Sequence, residues 1–196
     1  MKALLLKFSG GLLVAAIVCT VLTTTAQAAT YTVLNTDDTG AGSLRQAMTD
    51  AEATPGVADT IDFAIPGVGP HTITPATQLP ILRDTVIIDG STQTGSSCGT
   101  LVPSLPASSN TPHTLQIIID GSLSGTIFDF SGGNGGEDAS GSVIKGFNIV
   151  NVAGYAGAIA VRPSSGAIAD NVQINCNYIG TDITGTVSQS NEVGVY

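Results

Sequence analysis

The sequence predicts an all-β fold built as a parallel β-solenoid, with a strand and an amphipathic helix over its N-terminal end. Three observations predict it. Beyond residue 60 the hydrophobic pattern has a period of two and is cut into short runs by Gly, Pro, Asn and Asp. Ile88, Ile119, Ile149 and Ile179 recur at steps of 31, 30 and 30 residues, which is the signature of coils stacked on one another. One stretch near residue 44 carries helical periodicity, and it lies ahead of the repeats, where a solenoid must shield its first coil from water.

The elements follow in chain order. Lys2 and Lys7 flank the start of an apolar run, Leu12 to Leu22, and Ala26-Gln27-Ala28 supplies a small-x-small cleavage pattern, so residues 1–28 read as a signal peptide. A spanning helix needs about 20 apolar residues, and the threonines at 20 and 23–25 interrupt this run. Val18 before Cys19 is too bulky for a lipoprotein signal. The expected product is secreted or held at the cell surface, with no membrane insertion of the mature chain.

Residues 29–84 read as the N-terminal cap region. Tyr31 and Val33 alternate with threonines as a short strand. Ser43 with Gln46 three positions on makes a capping-box pattern, and Leu44, Ala47, Met48 and Ala51 draw one apolar stripe along a helix over 43–53 that Pro55-Gly56 stops. Ile61, Phe63 and Ile65 alternate with Asp62 and Ala64, and a further strand begins at His71.

Residues 85–196 read as the coils. Ile87-Ile88-Asp89-Gly90 superimposes on Ile118-Ile119-Asp120-Gly121, and stepping on reaches Ile149 and Ile179, so the four isoleucines are expected in one buried column. Ile144 and Ile174 hold matching places five residues before the last two. A second strand family comprises 126–130, 157–161 and 192–196. No polar closing segment follows Tyr196, so the chain reads as truncated at its C-terminus.

The stretch from Tyr31 to Gly95 contains Gly42-Ser43-Leu44-Arg45-Gln46-Ala47, Ala58-Asp59-Thr60-Ile61, Ile65-Pro66-Gly67 and Ile88-Asp89-Gly90-Ser91-Thr92-Gln93. It resembles the N-terminal region of bacterial secreted right-handed parallel β-helix repeat proteins, which often carries a C-S-L-R-E-A motif. Gly42 stands here for Cys and Gln46 for Glu. Asn177-Tyr178-Ile179-Gly180-Thr181-Asp182 resembles the coil repeat of the same proteins. The resemblance implies a right-handed helix and a large exported protein of adhesion type, with no shared catalytic motif.

Charge narrows the function classes. The chain has 15 acidic against 6 basic residues and a formal charge of −9, which loss of Lys2 and Lys7 would take to −11. Such a surface repels phosphate backbones and anionic headgroups, so no nucleic acid is expected as a partner. Cys98 and Cys176 remain after cleavage. Export permits their pairing, which closing a loop of this length would make worth roughly 4 to 5 kcal/mol, and two isolated thiols are the other reading. Neither has neighbours at metal-ligand spacing.

Candidate chemistry is sparse. Asn35-Thr36-Asp37-Asp38 matches carboxylate pieces of pectin-hydrolysing β-helices, but two working carboxyls must lie about 6.5 to 9.5 Å apart across a substrate, and these sit in a turn. A lyase would need a basic residue beside clustered acids. The mature chain offers Arg45, which belongs to the helix, Arg83, and Lys145 with Arg162, which could share a face but have no acid cluster beside them. Asp170 and Asp182 lie half a repeat apart. His71 and His113, each beside Pro, read as strand-end residues. Asp89 and Asp120 read as turn punctuation with a weak Ca²⁺-loop alternative. Asn148, Asn151, Asn171, Asn175 and Asn177 are expected in amide ladders between coils. Gly132 to Gly136 is a flexible loop. No catalytic, cofactor or metal residue is expected. The expected role is structural or adhesive, toward a glycan or a host or neighbour-cell surface protein. The alternative is a fragment of a carbohydrate-active β-helix enzyme, a polysaccharide lyase or glycoside hydrolase whose catalytic coils are missing.

Overall fold

A computed structural model describes residues 27–100, 111–130, 138–153, 157–162 and 166–196. Most of the expected signal peptide and the loop from Gly132 to Gly136 lie outside the described residues. The chain forms a β-solenoid of about 4 turns, made of parallel sheets. β1 (Thr30–Val33), β2 (Asp59–Phe63), β4 (Val86–Asp89), β7 (Val143–Lys145) and β10 (Gln173–Asn175) stack in one sheet. β3 (His71–Ile73), β5 (Ile117–Asp120), β8 (Phe147–Val150) and β11 (Tyr178–Ile179) stack in a second. β6 (Phe128–Asp129) and β9 (Ile159–Ala160) make the third, which a bridge from Ile159 to Val195 extends. The second strand family expected from the sequence is therefore this third sheet.

The expected column of four isoleucines divides. Ile119, Ile149 and Ile179 stand in register in the second sheet, with Ile73 ahead of Ile119. Ile88 does not join them, because β4 belongs to the first sheet and places it between Ile61 and Ile144, with Ile174 following. Chain length explains the misreading. Ile144 and Ile149 occupy adjacent sheets of one coil five residues apart, as do Ile174 and Ile179, whereas Ile88 and Ile119 are 31 apart. The second coil thus carries an insertion of 26 residues between its first two strands. Five plus that insertion happens to equal nearly one coil, so an offset within a coil looked like an offset between coils.

The core is a continuous apolar filling between the three sheets. Ile61, Ile88 and Ile144 of the first sheet and Ile117, Ile119 and Ile149 of the second are fully buried. Phe147 meets Phe63 edge-on at 5.4 Å and Phe128 at 5.4 Å between ring centroids, linking side chains from all three sheets. Gly146 joins β7 directly to β8. Its φ of 85° lies in the left-handed region, and a Cβ there would fall 2.1 Å from the Ser91 nitrogen, so two coil corners approach only because the side chain is absent.

Helix α1 (Leu44–Ala51) buries Leu44, Ala47, Met48 and Ala51, the stripe read from the sequence, and lies against β1 and β2. Its expected capping box is half formed. Ser43 Oγ accepts the Gln46 amide at 3.2 Å, but the Gln46 side chain turns away to donate to Asp50 at 2.7 Å. The Ser43 amide instead donates to Gly40 O. Arg45 fastens the helix to the next segment, donating to the carbonyls of Thr77 and Gln78 and to Asp38.

Glu52, just past this helix, yields a pH prediction. Its carboxyl is held above its ordinary value of 4.5 by burial, against which the Arg83 and Asp84 amides donate to it, and the nearby Asp84 charge adds to the rise. A carboxyl raised in the folded state favours folding below its unfolded value and costs stability as pH climbs through the folded one. Glu52→Gln keeps an acceptor for the amides and removes the charge. The melting temperature of the variant relative to the native chain should therefore rise between pH 4 and pH 7; an unchanged difference across that range contradicts the assignment.

Candidate binding clefts around His113

The insertion of the second coil begins with a 3-10 turn, Gly90–Thr92, and leaves no strand to pair with the stretch after β2. Side chains take over that pairing. Thr92 Oγ1 accepts the Phe63 amide at 2.7 Å. Gln93, buried, accepts the Ile65 amide at 2.8 Å and donates to the Ile65 carbonyl at 2.9 Å, as a neighbouring strand residue would. The described residues on either side, 94–100 and 111–116, form an arm, joined by an antiparallel bridge between Ser97 and Thr114, that leads into β5.

The arm is bonded to the fourth coil. Cys98 and Cys176 form a disulfide, with Cα atoms 5.5 Å apart, so the pairing left open by the sequence is made. Cys176 sits at the corner between β10 and β11 with a φ of 56°, the place held by Gly146 one coil earlier. An L residue there costs about 1 to 2 kcal/mol. His113 reinforces the contact, its ring 5.2 Å from that of Tyr178 and its amide donating to the Tyr178 hydroxyl at 3.0 Å.

Two clefts flank His113. One, of about 630 Å³, runs along the disulfide and is lined by His113, Lys145, Asn175, Asn177 and the edges of Ile174 and Ile179. The other, of about 360 Å³, lies between the arm and the loop after β11, lined by Pro70, Pro112, Leu115, Gln116, Ile183 and Thr184. The tautomer of His113 follows from its bonding: Nδ1 accepts the Gly99 amide at 2.8 Å, so the neutral ring carries its proton on Nε2. Asp182 shapes the opposite loop. Its carboxyl accepts the amides of Val187 and Thr186 and the Thr184 hydroxyl, and the Val187 bond above all holds it below the ordinary carboxylate value.

The outer face of the first sheet brings together residues that sequence spacing kept apart. Thr32, Asp62, Asp89, Lys145 and Asn175 stand in register across successive coils. Lys145 Nζ lies 2.8 Å from Asp89 Oδ2, an ion pair that local spacing did not announce. Asp89 also accepts the Ser91 amide and hydroxyl, which keeps its turn role. Asp62 adjoins Asp89 in the ladder, and its Oδ1 is buried without a hydrogen-bond partner. Among the described residues no group of three or more His, Cys, Asp or Glu could hold a metal ion.

The remaining candidates have structural partners. Asp37 closes a turn on Asn35, and Asp38 pairs with Arg45 at 2.7 Å, whose hydrogen bond holds the Asp38 carboxyl low. Asp120 accepts the Ser122 amide, and the Asp170 amide donates to Ser140. The Arg83 amide donates to the Glu52 carboxylate, and Arg162 lies over the Tyr196 ring at 4.9 Å instead of sharing a face with Lys145. His71 pairs through its backbone with Gln116 at a strand end, while its Nε2 is buried without a partner.

The expected amide ladder is replaced by another device. Asn177 accepts the Phe147 amide and donates to the Ile144 carbonyl of the coil before it, and Asn191 does the same for Val152 and Ile149. Asn148 donates to Thr181 O. Asn151 and Asn171 instead turn the chain at φ 59° and 57°, which Asn tolerates better than most residues. Sequence reasoning missed Gln93 and Asn191 because a side chain that replaces backbone has no period to detect.

No family model matches the chain, and no curated protein or solved structure matches it. No helix among the described residues is long and apolar enough to cross a membrane.

Proposed function

We propose that this chain is a secreted or cell-surface right-handed β-helix that works by adhesion-type binding, taking a neutral glycan into the clefts beside His113. The observation that carries the reading is the chemistry of their walls. Amides, hydroxyls and an imidazole stand beside apolar edges, and Lys145, the one Lys or Arg among the described lining residues, is balanced by Asp89. Polyhydroxylated ligands take such mixed donors and acceptors over an apolar floor. A polyanion would meet a chain of formal charge −9. In this reading α1 and β1 serve as the N-terminal lid, which the buried stripe on β1 and β2 supports.

One observation favours a second reading, a carbohydrate-active enzyme: two carboxylates and a lysine on adjacent coils, Asp62, Asp89 and Lys145. The ion pair argues against it, since it occupies the lysine that would have to take a proton. A glycan array run beside reducing-sugar and unsaturated-uronate assays tests both. Binding without turnover is expected, weakened at least ten-fold by His113→Ala, about 1.4 kcal/mol. Turnover above the blank, or binding indifferent to His113, overturns the adhesion reading.

A further inference from the structure

We infer that Cys98–Cys176 is a thiol-exchange site, and that its reduction by a dithiol releases the arm that walls the clefts while the coils stay folded. The inference rests on where the bond lies. Cys98 is exposed and Cys176 half-buried, and both line the open 630 Å³ cleft, so a thiolate can reach the sulfur of Cys98 from solvent. Few other ties replace the bond. Among the described residues the arm's hydrogen bonds to the fourth coil run through Tyr178 alone, to the amide and carbonyl of His113. The bonds of Ser97 to Thr114 and of Gly99 to His113 lie within the arm and hold nothing else.

The coils, by contrast, do not depend on the disulfide. Their parallel ladders and the core around Ile119 and Ile149 take from the arm only the Gln116 carbonyl at its foot, which accepts the His71 amide beside β5. The exchange is balanced as follows. A thiolate of the dithiol attacks Cys98 Sγ, forming a mixed disulfide and expelling Cys176 as a thiolate that solvent protonates. The second thiolate of the reagent then attacks its own bonded sulfur, frees Cys98, and leaves as a cyclic disulfide; two electrons pass from dithiol to protein. The corner at Cys176, left-handed at φ 56°, is then held only by its backbone. This step regulates the site proposed above and rests on that reading for its biological meaning, but not for its test.

The test uses dithiothreitol on the whole chain without denaturant, with thiol titration and amide hydrogen exchange by NMR. Two more thiols per chain than before reduction are expected, with exchange of the His113 amide faster by at least ten-fold and that of Ile119 and Ile149 unchanged. Cys98→Ser should show the same fast His113 exchange with no reductant. Thiols that emerge only together with exchange at Ile149 overturn the inference, as does an unaltered His113 rate after reduction. No ligand enters these readouts. Failure to bind neutral glycans would therefore sink the binding reading alone, and an unmoved His113 amide would sink the latch alone.

Discussion

Ile149→Asp is expected to abolish the cooperative melting of the coils. Ile149 is 0% exposed and stands between Ile119 and Ile179 in the second sheet, so a carboxylate there would enter the core with no partner. Burying such a charge costs several kcal/mol even after the pKa shift that would neutralise it. The change lands on the third coil, and each coil is held chiefly by its two neighbours. Loss therefore spreads in both directions. Circular dichroism melting should show a broad, early transition or none. A transition at the native temperature would mean that Ile149 faces water.

Phe147→Ala is expected to cost about 3 to 5 kcal/mol, the range for emptying an aromatic site in a packed core. The ring is fully buried and touches Phe63 of the first sheet's β2 and Phe128 of the third sheet. Removing it leaves a void where the three sheets meet, and Gly90, where a Cβ would fall 2.8 Å from the ring, has no side chain to fill it. For a chain of this size that is a fall in melting temperature of about 10 °C. A fall of a degree or two would mean that the neighbouring coils collapse into the gap.

Some of the fold was legible because solenoid coils repeat inward-facing residues at fixed spacing. The helix stripe of Leu44, Ala47, Met48 and Ala51 was legible for the same reason, since periodicity reports burial. So were the pairings of Ile144 with Ile174 and of Ile149 with Ile179, where coils of 30 residues follow without insertion. Ile88 was misplaced because an insertion shifts register without leaving a mark in local pattern. The clefts were less legible still. His113 reaches Tyr178 across 65 residues and Lys145 reaches Asp89 across two coils' worth of chain, and no local spacing announces either contact. What the sequence offered at His113 was a histidine beside Pro112 that reads as a strand-end residue.

The disulfide illustrates the same limit. Composition and export allowed Cys98 and Cys176 to pair, but only the stacking of the coils, with the third between the second and the fourth, sets the β10–β11 corner where the arm of the second coil reaches it. The pairing and the clefts are thus both consequences of the insertion in the second coil.

That insertion is tested most directly by the strand pairing of Ile88, read from interstrand NOEs in isotope-labelled protein. Contacts of residues 87–89 with 60–62 on one side and 143–145 on the other are expected, with 117–119 paired instead to 71–73 and 147–149. Ladder contacts joining 87–89 to 118–120 would contradict the placement of the arm, and with it the clefts built upon it.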